Sequence, residues 1–355
     1  MYIYGVQTHI MYKEKLPPVE AELLQAGLEV LNQHGVHATV VKAPRPGEVG
    51  VVRLKLGRQA VRYPLLLERW LTPATVGHIA ARRPRPDQPA LLLTNYVTPH
   101  MAERLRGMDM HFVDAAGNAY LDHGPVLIWV VGRKPLTILR PPRAGRPFQP
   151  GGLKVLFALL CAPDLVARPT RTIAAQAGVA NGTVGIVLRE LREGGFLVDL
   201  RQRRGKRVLR NLKGLLEQWT QAYARTLRPQ LVVGRYGAPE PDWWRTVNPR
   251  EYGGVFGGEA AEVLLTGTLV RPGMITVYLP GPPGRFILGN RLMNTPEATV
   301  EIRKKFWPIE YPWDYPTLAP PVLIYADLLA TGDARCLEAA QHVYEKHLAR
   351  LVAAE

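Results

Sequence analysis

The sequence predicts an α+β protein of several domains. Helix-period and strand-period segments alternate through the first third, and three short helices crowd the middle. A basic, proline-rich stretch parts those two regions. With 355 residues, 47% of them hydrophobic, the chain can bury sizeable cores, and wholesale disorder is excluded.

That stretch, "GRKPLTILRPPRAGRPFQPGG" (132–152), holds five prolines, five cations and no acid. Its prolines favour extended backbone, so it reads as a linker over 132–150. A first domain is expected at 1–131, a second at 151–227 and a third at 228–355, the last opening on the weaker seam "RPQLVVGRYGAPEPDWW" (228–244).

In the first block, "PPVEAELLQAGLEVLNQHG" has helical apolar spacing and stops at Gly35. "HATVVKA", "VGVVRLKL" and "QAVRYPLLLE" read as strands, two of them joined through Gly57. "TPATVGHIAARR" reads as a helix opened by Thr72 and Pro73, and "TPHMAERLRGM" repeats that start. "PALLLTNYV" is a buried strand, and "MHFVDAAGNAYL" returns as strand and turn.

The second block opens with the helix "GLKVLFALLCAPD", followed by "TRTIAAQAGV", which ends at Gly178. "NGTVGIVLRELREGG" is a third helix, with Asn181 placed to cap it and Val184, Val187, Leu188 and Leu191 as its apolar stripe. "FLVDL" and "RVLRNL" are short strands around the turn "RQRRGK", and "LKGLLEQWTQAYARTL" closes the block as a helix. Ala174 at the crossing and Gly178 at the sharp turn fit a helix-turn-helix, and the hairpin after the third helix makes it winged.

The stretch "RQRRGKRVLRN" (201–211) carries six cations and no acid, which puts it at the wing. Arg201, Arg203, Arg204, Lys206 and Arg207 are then placed to neutralise phosphates. Asn181 and Thr183, at the head of the third helix, are the candidates for base edges or nearby phosphates; Arg189 and Arg192 lie further along it. The net charge of +15 suits a polyanionic partner. Double-stranded DNA is the partner expected, although a solvated basic face or a protein-docking winged helix has the same composition.

Five phrases extend this. "FVDAAGNAYL" (112–121), "LKVLFALLCAPDL", "IAAQAGVANGTVGIVLREL", "FGGEAAEVLLTG" and "VLIYADLLATGDARCLEAA" occur in that order. Across most of residues 60–345 the chain resembles the AbiEi-like regulators, antitoxins of type IV toxin–antitoxin systems, in their long three-part form. The resemblance implies a transcriptional repressor that binds operator DNA through the winged helix and autoregulates a toxin–antitoxin operon. It also implies a cognate nucleotidyltransferase-like toxin, opposed functionally rather than necessarily by a stable complex.

Two enzyme readings fall short. The element order of 1–131 resembles a restriction-endonuclease-like fold, whose chemistry needs an acid on one strand and acid-x-lysine on the next. "VGVVRLKLGRQAVRYPLLLERW" offers only Glu68, with Lys55 on the other strand and Glu48 preceding both. In the third block, "GGEAAEVLLTGTLVRPGMITVYL" resembles a nucleotidyltransferase core, yet its strand "MITVYL" carries no acid. Gly257 and Gly258 then serve close packing.

Asp114 reads as a carboxylate bonding the amides of its own turn, with Gly117 and Asn118 supplying the turn. His9, His34, His37 and His78 lack metal-type pairing, and Cys161 and Cys336 lie too far apart for a zinc spacing or a disulfide scaffold. No catalytic, metal or cofactor set is therefore expected. "KFWPIEYPWDYP" (305–316) and "DWWRT" (242–246) read as loop clamps rather than base-stacking strips.

No apolar run spans a membrane, and the N-terminus "MYIYGVQTHIMYKEKL" lacks a signal-peptide pattern, so a cytoplasmic protein is expected. A homodimer would suit a palindromic operator. The alternatives are a metal-dependent nuclease targeted by the winged helix, and a non-catalytic interaction scaffold.

Overall fold

Strings of apolar residues dictate the first sheet: all five positions of Ala90–Thr94 and all five of Met110–Asp114 are buried, as strands covered on both faces require. The computed structural model describes residues 18–44, 49–57, 59–69, 71, 76, 79, 83, 88–124, 126–135, 146–199 and 207–349. It divides into two compact units, Met1–Pro142 and Arg143–Glu355. The protein is α+β, with a large sheet in the first unit and most helices in the second.

In the first unit, α1 (Pro18–Gln33) precedes β1 (His37–Lys42), β2 (Gly50–Leu56), β3 (Gln59–Leu67), β4 (Ala90–Thr94), α2 (Pro99–Gly107), β5 (Met110–Asp114), β6 (Ala119–His123) and β7 (Val126–Val130). The seven strands lie in sequence order; β3, β4 and β5 run parallel and the remaining neighbours antiparallel. Leu24 and Leu31 of α1 pack with Leu54, Leu65, Leu91 and Val113 on one face. Met101, Ala102 and Leu105 of α2 pack with Leu92 and Phe112 on the other. Thr98 caps α2 by accepting from the Met101 amide, and Pro99 stands in its first turn, as expected. The helix expected at "TPATVGHIAARR" lies outside the described residues except for Val76, Ile79 and Arg83. The segment read as a strand and turn, "MHFVDAAGNAYL", forms β5 and β6, and β7 follows as a strand the sequence reading did not draw.

The second unit opens with α3 (Pro150–Cys161), α4 (Thr170–Ala177) and α5 (Asn181–Glu193), then the hairpin β8 (Leu197–Asp199) and β9 (Arg207–Leu209), and α6 (Leu212–Ala222). A π-helical turn, Tyr223–Leu227, carries the chain out of α6. β10 (Val232–Tyr236), β11 (Val255–Gly257), β12 (Ile275–Leu279) and β13 (Val300–Lys304) form a sheet in the order β10-β13-β12-β11, with β12 and β13 parallel. α7 (Gly258–Leu265), α8 (Pro321–Thr331) and α9 (Ala334–Val343) complete it.

The seam expected at 228–244 falls inside this compact unit. Its two sides share one aromatic core: Phe157 of α3 lies 5.5 Å from the Trp219 ring of α6, and 5.0 and 5.5 Å from Phe306 and Trp307, which follow β13. Cys161 and Cys336 are free and buried, and burial pushes both thiols upward, Cys336 to about 12. Among the described residues, no helix is long and apolar enough to cross a membrane.

Candidate nucleic-acid interface

The three-helix unit is set by one turn. Gly178 ends α4 in the left-handed region, φ 65° and ψ 42°, where a side chain would be strained. Its amide bonds back to Ala174 and Ala175, and the Val179 amide reaches the Ala174 carbonyl at 3.1 Å. Ala174 is buried where the helices meet. From this turn α5 departs with Val184, Val187, Leu188 and Leu191 all buried, as its apolar spacing requires.

The opposite face of α5 is bare. Asn181, Gly182, Gly185, Arg189 and Arg192 are exposed, and a Cβ added at Gly182 or Gly185 would meet no neighbour within 4 Å. Asn181 does not cap the helix, contrary to the sequence reading. Ala180 occupies the cap position without a side-chain bond, and Asn181 is the first residue inside the helix. Its amide side chain therefore belongs to the outer surface rather than to the helix start. Thr183 is half-buried, with its methyl 3.4 Å from where a Cβ on Gly151 would stand.

The basic positions separate into distinct environments. Arg192 is tied to Asp199, the last residue of β8, Nε to Oδ2 at 2.7 Å. Its hydrogen bond to Asp199 raises the guanidinium pKa, and the same bond lowers the Asp199 carboxyl. Arg207, half-buried at the foot of β9, donates to the carbonyl of Arg168. Arg201, Arg203, Arg204 and Lys206 lie outside the described residues. Two further cations, Arg168 and Arg171, are exposed at the head of α4, and the Arg207 bond sets Arg168 beside the start of β9, at the turn end of the hairpin. Sequence reasoning passed over this pair, although "ARPTRT" places both just before the helix-turn-helix pattern.

Behind the unit, the expected clamp is present. Trp307 is buried against Phe157, Phe306 and Tyr278, and Pro308 packs at Gly178, 3.3 Å from where a Cβ would stand. Trp244 is buried against Phe256, and Trp243 sits edge-on to Phe286.

The carboxylates singled out from the sequence fall as follows. Asp114 accepts from the amides of Ala116 (2.9 Å), Asn118 (2.8 Å) and Val97 (2.8 Å), and from Asn118 Nδ2 (2.7 Å). Burial raises its pKa and those four donors oppose the rise. All its acceptor positions are engaged within its own turn and a neighbouring loop. Lys55 pairs with Ala60 at the turn end of the β2–β3 hairpin, while Glu68 lies beyond Leu65 at the other end.

At the Gly257–Gly258 turn, a Cβ on Gly257 would come 2.5 Å from the Tyr278 ring and 3.3 Å from Asp327 Oδ2. Tyr278 donates to Asp327 (2.7 Å), as does Tyr223 of the π-helical turn (2.9 Å). Arg303 is 1% exposed and completes the group, bonded to Asp327, Glu301 and the Tyr278 hydroxyl. Arg235 reaches Glu301 from the strand edge at 2.8 Å. Burial would raise the Glu301 carboxyl, but Arg303 and Arg235 hold it below its ordinary value. This network, built from positions up to 104 residues apart, was not drawn from the sequence. Space beside the glycines is filled by side chains that satisfy one another. Among the described residues, no group of three or more His, Cys, Asp or Glu is arranged to hold a metal ion.

Residues 207–349 match the family model described as "Transcriptional regulator, AbiEi antitoxin, Type IV TA system". That span takes in β9, α6 and the whole four-stranded sheet with its helices, and leaves α3–α5 to its N-terminal side. No curated protein and no solved structure matches the chain.

Proposed function

Taking as premise that residues 207–349 are an AbiEi-type antitoxin region of a transcriptional regulator, we propose that the chain is a sequence-specific DNA-binding repressor. In this reading α3–α5 with β8 and β9 are a winged helix-turn-helix. α5 enters the major groove, and the cationic turn 201–207 grips the adjacent backbone. One observation carries it: the outer face of α5 presents Asn181, Gly182, Gly185 and Arg189 to solvent, and the sequence joining β8 to β9, residues 200–206, holds four cations and no acid. Glycines on that face let the helix backbone approach base edges closely, while Asn181 and Arg189 supply the donor and acceptor pattern that reads them.

The protein acts in the cytoplasm on its own operator and opposes a nucleotidyltransferase-like toxin without catalysis of its own. In this reading the first unit is a restriction-endonuclease-like domain without its site, which Lys55 and Glu68 at opposite ends of a hairpin support. In the same reading the C-terminal sheet is a nucleotidyltransferase-like domain without catalysis, which the packing of its glycine turn by Tyr278 and Asp327 supports.

The test is binding of the full chain to its upstream intergenic duplex against scrambled competitor, with and without neutralisation of Arg203, Arg204 and Lys206. Specific binding that falls at least tenfold in the neutralised variant is expected. Binding indifferent to sequence and to the wing overturns the proposal.

A further inference from the structure

Sheet edges present unpaired N–H and C=O groups, which soluble proteins blunt with bulges, charge, brevity or cover. The two larger sheets have four edges. β1 is broken by a bulge between Val40 and Lys42, and ends on that lysine. β10 is broken between Val232 and Gly234 and carries Arg235. β11 has three residues, all buried. Among the described residues, β7 has none of these guards. It is "VLIWV", uncharged, in unbroken register with β6, and leaves Leu127 68% and Trp129 37% exposed.

The face around these two side chains has a defined pattern. Tyr120 of β6 pairs with Trp129, and Asp122 pairs with Leu127, so all four project to one side. Phe112, Tyr120 and Trp129 are in ring contact there, and the Arg106 guanidinium of α2 stands over Trp129 at 5.1 Å. Asp122 is exposed. Along this edge a cation therefore accompanies Trp129 and an anion accompanies Leu127.

We infer that β7 is a self-association edge whose occupant is a second copy of this chain, paired antiparallel about a two-fold axis at Ile128. In that register Leu127 lies opposite Trp129 of the second copy, and Trp129 opposite its Leu127, which makes two aliphatic–aromatic cross-strand pairs on the exposed face. Val126 meets Val130, and Ile128 meets its own counterpart. Charge follows the same symmetry. Asp122 of the second copy stands two strand spacings from Trp129, about 10 Å, on the face that carries Arg106. Each guanidinium thus shares its face with one carboxylate of the other copy, two such pairs in the dimer. Glu103, 3.8 Å from Arg106, is an exposed neighbour on the same helix and holds it only weakly. An unrelated apolar partner would satisfy the edge but not this reciprocal charge order. The inference is independent of DNA binding, because β7 belongs to the first unit.

Sedimentation velocity of the full chain from about 1 to 100 μM, spanning a dissociation constant in the micromolar range, tests it. A monomer–dimer equilibrium is expected, weakened at least tenfold by Leu127→Arg with the melting temperature unchanged. Arg106→Glu and Asp122→Arg should each weaken the dimer, and their combination should restore it. Amide exchange in Val126–Val130 should slow as concentration rises. A chain that stays monomeric throughout overturns the inference. So does a dimer whose constant and β7 exchange ignore both Leu127→Arg and the charge exchange. Should Leu127→Arg fail to fold, the charge-exchange set on exposed side chains decides alone.

Discussion

The two sides of the three-helix unit are built on opposite plans. Its back is consumed: Phe157 is fully buried among Trp219, Phe306 and Trp307, and Pro308 closes over Gly178. Its front, the outer face of α5, is so open that a Cβ added at Gly182 or Gly185 would meet nothing within 4 Å. Aromatics that could stack on bases are spent on the fold, and small or polar residues are left exposed. The difference places the stabilising contacts on one side, and the proposed function puts recognition on the other.

Substitutions on the two sides should separate accordingly. Phe157→Ala empties the shared core and should cost about 3–5 kcal/mol. Calorimetry should show the three helices and the C-terminal sheet still melting together, since the aromatic contacts cross between them; two resolved transitions would break the claim of one core. Asp327→Asn leaves Arg303 facing one fewer carboxylate in a buried site, for which a loss of about 3 kcal/mol, measured by urea denaturation, is expected.

Acid should distinguish the two units. His111 is fully buried, with its Nε2 accepting the Asp122 amide at 3.4 Å, and burial lowers its pKa despite Asp109 and Asp122 nearby. The unfolded chain then binds more protons than the folded one below about 6.5, so stability is lost as pH falls through that value toward the lowered one. Glu301, held low by arginines, keeps its contribution above its ordinary 4.5 and loses it only as pH falls through its lowered pKa. Asp114 acts in the reverse sense, between 3.8 and its raised value. Pulsed hydrogen exchange should therefore show the strands around His111 loosening at milder acidity than the Glu301–Arg303 network. His111→Gln should remove that early loss.

The smallest effect belongs to the front face. Asn181→Ala should change stability by no more than about 0.5 kcal/mol, because Asn181 is exposed and caps nothing. A larger drop in a thermal melt would return it to a structural role.

Two buried carboxylates show what the sequence could disclose. Asp114 is satisfied by Ala116 and Asn118, close neighbours in a turn whose Gly117 takes φ 92°, so "VDAAGN" announced its role. Asp327 is satisfied by Tyr223, Tyr278 and Arg303, each far away in the chain, and no local pattern marks it. The same rule covers the fold. Helices with a stop glycine, the Thr98–Pro99 start and the hairpin at Gly57 were legible because their causes are local. β7 was overlooked because "VLIWV" lacks the polar alternation of a half-exposed strand. The sequence suggested Asn181 as a cap, but the chain placed Ala180 there and turned the asparagine outward. Arg201, Arg203, Arg204 and Lys206 were legible as charge alone, and their placement lies outside the described residues.

The most direct measurement pairs affinity with stability for Asn181→Ala combined with Arg189→Ala. Fluorescence anisotropy on the upstream duplex should show specific affinity falling at least tenfold, about 1.4 kcal/mol, while the melting temperature stays at that of the parent chain. Unchanged specific affinity in a folded variant would contradict the assignment of α5 as the reading helix.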